Sequence, residues 1–258
     1  MRYFLFFLSL SISLFAKDLD ATYRVSFGIF GEIGIAKTTL HVEGKRYKIT
    51  VHAKSTGFAA FISGDREEFY ESRGKIEDGM LVPDRYEKIT QKNVNESDAF
   101  SDENRVILKK YVKIYTFNHK LHKIEAKKIK SRGKQKSRSI EKVKFYAKND
   151  ILSLFFNFKR LFPQLEIKKK QTLHAVGADK KTGKIVLLPL DKTEFAKLID
   201  GEFRGMKFLK VILNDKIFSS KKGELYLALD KNGLCEKAVL KDVILFGDIR
   251  GELIEKNY

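Results

Sequence analysis

The sequence predicts a mainly β protein, built as a large curved antiparallel sheet or a partly closed barrel and covered by one amphipathic helix from about Asn149 to Phe162. Three observations support this fold class. Most of the chain alternates apolar and polar residues with a period of two, glycine turns separate the candidate strands, and one segment has helical periodicity. Many short strands joined by tight turns favour an antiparallel sheet with one buried face.

The first candidate strands show the alternation clearly. Within residues 22–29, one face collects the apolar side chains of Tyr23, Val25, Phe27 and Ile29. The chain then turns at Gly44, and one face of the next strand holds Tyr47, Ile49, Val51 and Ala53. Glycine accepts a positive φ without steric cost, so it marks further turns between candidate strands at Gly79, Gly183, Gly223 and Gly233.

The clearest helical segment begins near Asn149 and ends before Pro163. Its apolar side chains follow the i, i+3, i+4, i+7 spacing and are Ile151, Leu154, Phe155, Phe158, Leu161, Phe162 and Leu165. The opposite side is predicted to carry Ser153, Asn157, Lys159 and Arg160. Asn149 or Asp150 can cap the N-terminus. We expect this helix to cover the apolar face of the sheet.

Two further segments interrupt the strand pattern. Residues 55–64 form a short apolar patch, which predicts a single helical turn or a bent loop. Residues 93–104 are polar and weakly patterned, which predicts a loop.

The N-terminus predicts export. Residues 1–16 contain one charge, at Arg2, followed by an apolar run that ends at Ala16, which is the pattern of a cleavable signal peptide. The alternative is a membrane anchor, but the run is shorter than the roughly 20 residues that cross a bilayer. Residues 17–258 are then a single exported β-rich domain, expected in the periplasm. Its one cysteine, Cys235, excludes an intrachain disulfide.

The chain is strongly basic, with a formal net charge of +18. Much of the excess lies in residues 119–148, read as a basic hairpin or loop around Gly133. An export signal argues against nucleic acid as the partner, and favours a lipid or anionic amphiphile, the membrane surface or an acidic envelope partner. A solvated hairpin without a partner is the alternative. The candidate residues for an anionic partner are Lys127, Lys128, Lys130, Arg132, Lys134, Lys136 and Arg138.

No catalytic motif is present, so the sequence predicts a protein that is not an enzyme and needs no cofactor. His119 and His122 are three residues apart, but they have no nearby cysteine and few carboxylates with which to hold a metal. Residues 177–185 resemble a phosphate-binding loop only superficially, because Ile185 stands where a hydroxyl would bind magnesium. Cys235 is read as a structural residue.

Five segments occur together in a familiar order. They are GEIGIAKTTL (31–40), STGFAAFISGDREEF (55–69), LVPDRYEK (81–88), NDILSLFFNFKRL (149–161) and DVILFGDIRGEL (242–253). The chain resembles in these segments an exported bacterial family known as domain of unknown function 3108 (DUF3108). The resemblance implies a periplasmic or envelope protein with mostly antiparallel β structure and no established activity. The basic hairpin around Gly133 departs from the family pattern.

Two functional hypotheses follow. In the first, an apolar cavity between sheet and helix holds a lipid or other amphiphile, and its lining residues are Phe58, Phe61, Phe155, Phe158 and Phe162. In the second, the protein is an envelope scaffold or interaction protein with a dry core and a basic docking arm. A hydrolase of an envelope polymer is a weaker third alternative, because it requires Asp, Glu or His side chains from separate strands to meet in a cleft.

Overall fold

The computed structural model describes residues 18–28, 31–97, 104–179, 181–213, 223–243 and 247–258, without the side chains of residues 58, 61, 62, 96, 97, 104 and 105. The predicted signal peptide, residues 1–16, and Ile29 lie outside the described residues.

The strands are β1 Leu19–Phe27, β2 Glu32–Glu43, β3 Arg46–Ser55, β4 Glu67–Glu77, β5 Met80–Ser97, β6 Asn104–Asn118, β7 Lys123–Arg132, β8 Gln135–Lys142, β9 Asn149–Asp150, β10 Gln171–Val176, β11 Lys184–Pro189, β12 Lys207–Ile212, β13 Glu224–Leu229, β14 Cys235–Val243 and β15 Gly247–Asn257. The helices are α1 Gly57–Ser63, α2 Ile151–Phe156, α3 Phe158–Leu161 and α4 Lys192–Ala196.

The strands form one 15-stranded sheet in the order β8-β7-β6-β5-β4-β3-β2-β1-β15-β14-β13-β12-β11-β10-β9. From β1 to β8 and from β10 to β15, successive strands pair antiparallel. Short turns with Gly44, Gly79, Gly133, Gly183 and Gly233 lie near several of these connections, as the glycine pattern predicts, whereas α1 lies between β3 and β4 and α4 between β11 and β12. β1 pairs with β15 and thereby joins the two halves, while the short β9 pairs parallel with β10. The sheet is open, with β8 and β9 at its ends, so of the two predicted architectures the curved open sheet is correct.

The short helical segment of α2 and α3 explains why the sheet must curve. α2 contacts β4 and β5 in one half of the sheet and β10 in the other. In a flat sheet β5 and β10 would lie about 48 Å apart, because neighbouring strands are spaced by about 4.8 Å. One helix can contact both β5 and β10 only if the sheet curls around the helix. We call the face of the sheet that the helix contacts the inner face.

The predicted helical segment covers the inner face, but it is not the single helix from about Asn149 to Phe162 that the sequence predicts. Asn149 and Asp150 form β9, and Asn157 separates α2 from α3. Asp150 is the N-cap of α2 and accepts hydrogen bonds from the backbone N–H groups of Leu152 and Ser153. Leu154 and Phe158 are buried in the core formed by β10 to β14, whereas Phe156 packs against the cores around β1 to β5. The segment therefore fills the space between the two halves of the sheet.

The prediction that Ser153 and Asn157 lie on an exposed side of the helix is wrong. Both are buried, because the curved sheet surrounds the helix on more than one side. Their polar groups are satisfied: Ser153 completes the capping box with Asp150, and Asn157 hydrogen bonds to both backbone groups of Leu81. Leu161, predicted to be part of the apolar stripe, is instead 38% exposed at the end of α3.

Strands β12 to β14 are covered on both faces, which differs from the predicted one-sided sheet. On their outer face α4 and the chain around it pack a second core, in which Phe195, Phe203 and Phe208 meet in ring contacts. β13 reads ELYLAL, and such a nearly continuous apolar run is typical of a strand that is covered on both sides.

Residues 55–64 contain the short helix α1, as predicted. The prediction of a loop over residues 93–104 is wrong at both ends of this range. β5 continues to Ser97 and pairs with β6 from Asn104 onward. The polar side chains do not prevent this, because the pairing is made by backbone groups and the hairpin extends beyond the core. Within the described residues, no helix has the length and hydropathy to cross a membrane.

Candidate functional site

The basic arm, which we define as strands β5 to β8, carries the candidate site. Its inner face is identified by Tyr86, Tyr115 and Ala126, which lie opposite one another in the strand register and are buried against the core. Side chains two residues apart along a strand share a face. The rest of the inner face can therefore be read outward from these buried residues.

The rows of the inner face become cationic with distance from the core. The next row is Lys88, Lys113 and Lys128, and the register then brings Thr90 beside Tyr111 and Lys130. A third row consists of Lys92, Lys109 and Arg132. Adjacent members of a row are separated by roughly 5 Å, so the positive charges are close enough to reinforce one another at physiological salt.

Some of these cations are compensated within the structure. Glu68 on β4 binds Arg66 and Lys88, and it also accepts a hydrogen bond from Tyr70. Burial raises the pKa of Glu68, but Lys88, Tyr70 and Arg66 together outweigh this effect and hold the pKa below its ordinary value. Glu68 therefore stays ionised.

Further along the arm, Lys128 pairs with Glu141, and Lys113 lies over the ring of Tyr115 at 4.7 Å. Burial lowers the pKa of Lys113. By contrast, Lys92, Lys109 and Lys130 make no ion pair with any carboxylate in the described part of the chain. Cations thus exceed carboxylates on this face, which is suited to bind an anion.

A groove of about 570 Å³ runs along this part of the inner face. Its volume falls within the roughly 300–1,000 Å³ of typical ligand sites. Thr90, Tyr111 and Ser137 add hydroxyl groups to its cationic lining. The basic residues that line it are Arg66, Lys92, Lys109, Lys110, Lys130, Arg132 and Lys136.

The structure divides the seven residues predicted to bind an anionic partner. Lys128, Lys130 and Arg132 are on the inner face by register. Lys127 on β7 and Arg138 on β8 are at outer-face positions of the register, and Lys134 lies in the β7–β8 turn. Lys136 is also at an outer-face position, but on the edge strand β8 it still lines the groove. The register therefore groups only part of the predicted set, because a strand sends adjacent residues to opposite sides.

Sequence reasoning missed the cations of β5 and β6, which stand far from the basic hairpin in the chain. A signal for them existed in KKYVKIY (109–115), where Lys109, Tyr111, Lys113 and Tyr115 share one face. Knowing that this face adjoins β7 requires the strand order, which a single sequence does not provide.

Three of the predicted lipid-binding phenylalanines, Phe155, Phe158 and Phe162, have described side chains. Phe158 is buried and packs against Phe162 with ring centroids 4.9 Å apart. Phe155 lines a space of about 150 Å³ between the helix and the sheet, smaller than a typical ligand site. The backbones of Phe58 and Phe61 lie in α1, and their side chains are outside the described part of the structure.

The remaining candidate groups have structural roles. His119 hydrogen bonds to the Tyr146 hydroxyl and to the carbonyl oxygen of Pro83, both at 2.7 Å. Burial raises the pKa of the Cys235 thiol to about 12, so it is protonated at neutral pH and a poor nucleophile. Among the described residues, no group of three His, Cys, Asp or Glu side chains is placed to hold a metal ion.

This arrangement defines a class of antiparallel β protein in which one large curved sheet encloses a short helical segment and extends a basic arm. The chain belongs to the DUF3108 family, described as a protein of unknown function, whose model matches residues 22–253. The resemblance seen in the five sequence segments is thereby confirmed. No curated protein and no solved structure matches the chain.

Proposed function

We propose that this protein is an exported, non-catalytic envelope protein that binds an anionic partner through the inner face of its basic arm. The core of sheet and helix acts as a dry scaffold that holds the arm. The observation that carries this proposal is the groove of about 570 Å³ on the inner face, in which Lys92, Lys109 and Lys130 have no carboxylate partner among the described residues.

The rigidity of the arm supports this function. Tyr86 and Tyr115 fix the base of the inner face in the core, and the ladder continues without a register shift through β6 and β7. A preformed row of cations loses little conformational entropy when it binds an anion. The pattern of residues 1–16 supports placement in the periplasm, where anionic head groups and acidic polymers are the abundant partners.

The proposal is tested with inorganic polyphosphate, a soluble anion that has no apolar part. Replacing Lys92, Lys109 and Lys130 by Gln should weaken polyphosphate binding about tenfold or more, and should also reduce its dependence on salt concentration. Fluorescence anisotropy with a labelled polyphosphate measures both quantities.

The matched control replaces Lys120, Lys123 and Lys144 by Gln. These lysines are exposed at the opposite end of the arm, so the variant has the same net charge as the test variant. Its affinity should remain within about twofold of the wild type, because the cations are more than a Debye length from the groove. Equal weakening by both variants would show a nonspecific effect of net charge and would overturn the proposal.

A second candidate function is the binding of an amphiphile beside α2. The lining of the space of about 150 Å³ supports it, because Leu19, Leu40 and Phe156 are apolar and Lys159 adds a cation, but this volume would hold only a short part of an amphiphile. This candidate predicts that an added amphiphile slows hydrogen exchange in α2 and leaves exchange in the arm unchanged.

A further inference from the structure

We infer that the edge strand β8 is a docking site for an extended acidic segment of another protein, which adds to the sheet as a further strand. The inference goes beyond the proposed function, because it concerns the edge of the sheet and not the groove on its inner face. It rests on an open backbone edge, a regular strand geometry and cations that have no carboxylate partner among the described residues.

The edge of β8 is open along its whole length. On one side β8 pairs with β7, from Gln135 opposite Arg132 to Lys142 opposite Glu125. β8 is the first strand in the sheet order, and no other described strand pairs with it. All of its residues are exposed. The backbone N–H and C=O groups that face away from β7 can therefore pair with an added strand.

The other end of the sheet is protected in a way that β8 is not. There, β9 consists only of Asn149 and Asp150, and Asp150 also caps α2, so this edge is too short to accept a strand. Proteins also protect edges with prolines and bulges. β8 contains no proline and pairs with β7 without a register shift. Its edge keeps the regular geometry that strand addition requires.

The outer side of β8 carries charges that select a partner. Alternation along the strand places four residues on this side, Lys136, Arg138, Ile140 and Lys142. The β7 residues opposite Lys136 and Arg138 are uncharged, whereas Lys142 stands opposite Glu125. Among the described residues, neither Lys136 nor Arg138 forms an ion pair with a carboxylate. These two positions therefore favour an acidic residue on an added strand.

The inner side of β8 adds no net charge to this selection. Gln135, Ser137 and Ser139 are uncharged, and Glu141 forms an ion pair with Lys128 on β7. An added strand should therefore carry uncharged polar residues at its inner-side positions. On the outer side, Ile140 is 65% exposed and suits an apolar neighbour.

Charge and backbone chemistry together favour an acidic polypeptide. Side chains directly opposite each other on paired strands are about 5 Å apart, so carboxylates beside Lys136 and Arg138 would be stabilised. A second copy of β8 would bring its own cations to the same edge, and like charges destabilise a strand pair. A phosphate polymer accepts hydrogen bonds but donates none to the edge carbonyl groups, whereas another backbone supplies both in alternation.

The probe is a fluorescent peptide of the same length as β8, aligned antiparallel to it. It has glutamate beside Lys136 and Arg138, valine beside Ile140 and threonine at the other positions. Fluorescence anisotropy at physiological salt concentration measures its binding to the full chain. We expect saturable binding, at least about tenfold stronger than that of a peptide with lysine in place of both glutamates.

Two modified peptides test whether the backbone makes the contact. One is methylated on the odd-numbered backbone nitrogens and the other on the even-numbered ones. Alternate N–H groups of an added strand face β8, and the rest face solvent. One methylated peptide should therefore lose about tenfold or more in affinity, while the other binds like the unmodified peptide. Equal affinities of the two methylated peptides would overturn the inference, because attraction between charges does not distinguish them.

Arg138→Glu is the test variant of the protein. It should bind the acidic peptide about tenfold more weakly, and a peptide with lysine beside position 138 should restore the affinity. Lys120→Glu is the control, because it changes the net charge equally at an exposed position in the β6–β7 turn, and its affinity should stay within about twofold. Unchanged binding by Arg138→Glu, or equal loss in both variants, would reject β8 as the docking site.

Two further measurements separate this inference from its alternatives. Arg138→Glu should bind polyphosphate within about threefold of the wild type, because Arg138 is at an outer-face position. Failure of the peptide experiments thus rejects the β8 site and leaves the proposed function standing, whereas failure of the polyphosphate experiment does the reverse. Sedimentation equilibrium of the full chain tests for a second copy. Self-association that the peptide disrupts would show that β8 pairs with itself, and would rule out the acidic partner.

Discussion

At the scale of single residues, Asp150 connects the helix to the sheet through a buried polar network. Its carboxylate accepts from the Ser72 hydroxyl at 2.6 Å, and Ser72 lies 3.0 Å from the hydroxyl of Tyr47. The same carboxylate caps α2, so a single side chain fixes both the start of the helix and its place on β4. Periodicity in the sequence identified Asp150 as a capping candidate, but Ser72 is 78 residues away in the chain and could not be paired with it.

Burial raises the pKa of Asp150 from 3.8 to about 6, against the opposing effect of its hydrogen bonds. Between these pH values the folded protein holds a proton that the unfolded chain has lost. The contribution of Asp150 to stability is therefore greatest below pH 4 and decreases as the pH rises toward 6, by about 3 kcal/mol for a shift of this size.

The Asp150→Asn variant tests this titration, because asparagine is also a good N-cap but carries no charge. The free energy of unfolding of the variant, minus that of the wild type, should increase by about 2–3 kcal/mol from pH 4 to pH 7. Urea unfolding at several pH values measures it, and the comparison cancels the titration of the other carboxylates. A difference that stays constant with pH would contradict the raised pKa.

At the scale of elements, the sequence predicted where the helical segment lies in the chain, but not which groups surround it in the fold. The spacing of apolar residues and Pro163 located it to within a few residues. Burial of Ser153 and Asn157 could not be read from the spacing, because their partners are backbone and side-chain groups of the surrounding sheet and of the helix cap. A helix inside a curved sheet is covered on several sides, whereas the interpretation of an amphipathic pattern assumes that only one side of the helix is covered.

Phe158 and Leu161 provide a matched pair within α3. Phe158→Ala should lower the free energy of unfolding by about 3–5 kcal/mol, since it opens a cavity in the core of β10 to β14. Leu161→Ala, in the same helix but 38% exposed, should cost less than about 1 kcal/mol. Chemical unfolding of both variants measures the difference. Similar costs would mean that the helix does not pack on the inner face as described.

At the scale of the whole molecule, the sequence predicted an antiparallel sheet correctly but not how its two halves join. The pairing of β1 with β15 connects Asp20 to Asn257, and contacts so distant in the chain leave no local pattern. The same limit applies to the site. The basic hairpin was visible in composition, whereas the inner-face groove requires the register that brings Lys92 and Lys109 beside Lys130 and Arg132.

In the proposed function, the molecule consists of a packed scaffold and a basic binding surface. The scaffold is the inner-face core that Leu154 and Phe158 complete, and the proposed binding surface is the part of the inner face of β5 to β8 that lies beyond this core. Such a division predicts that a ligand affects the backbone of the arm and leaves the helix unchanged.

Hydrogen exchange of the full chain, with and without inorganic polyphosphate, tests this division most directly. Exchange should slow in residues 104–118 and 123–138 of the arm when polyphosphate is added, and should stay the same in residues 151–161 of the helical segment. Slower exchange in residues 151–161, with the arm unchanged, would contradict the account and would place the ligand beside the helix.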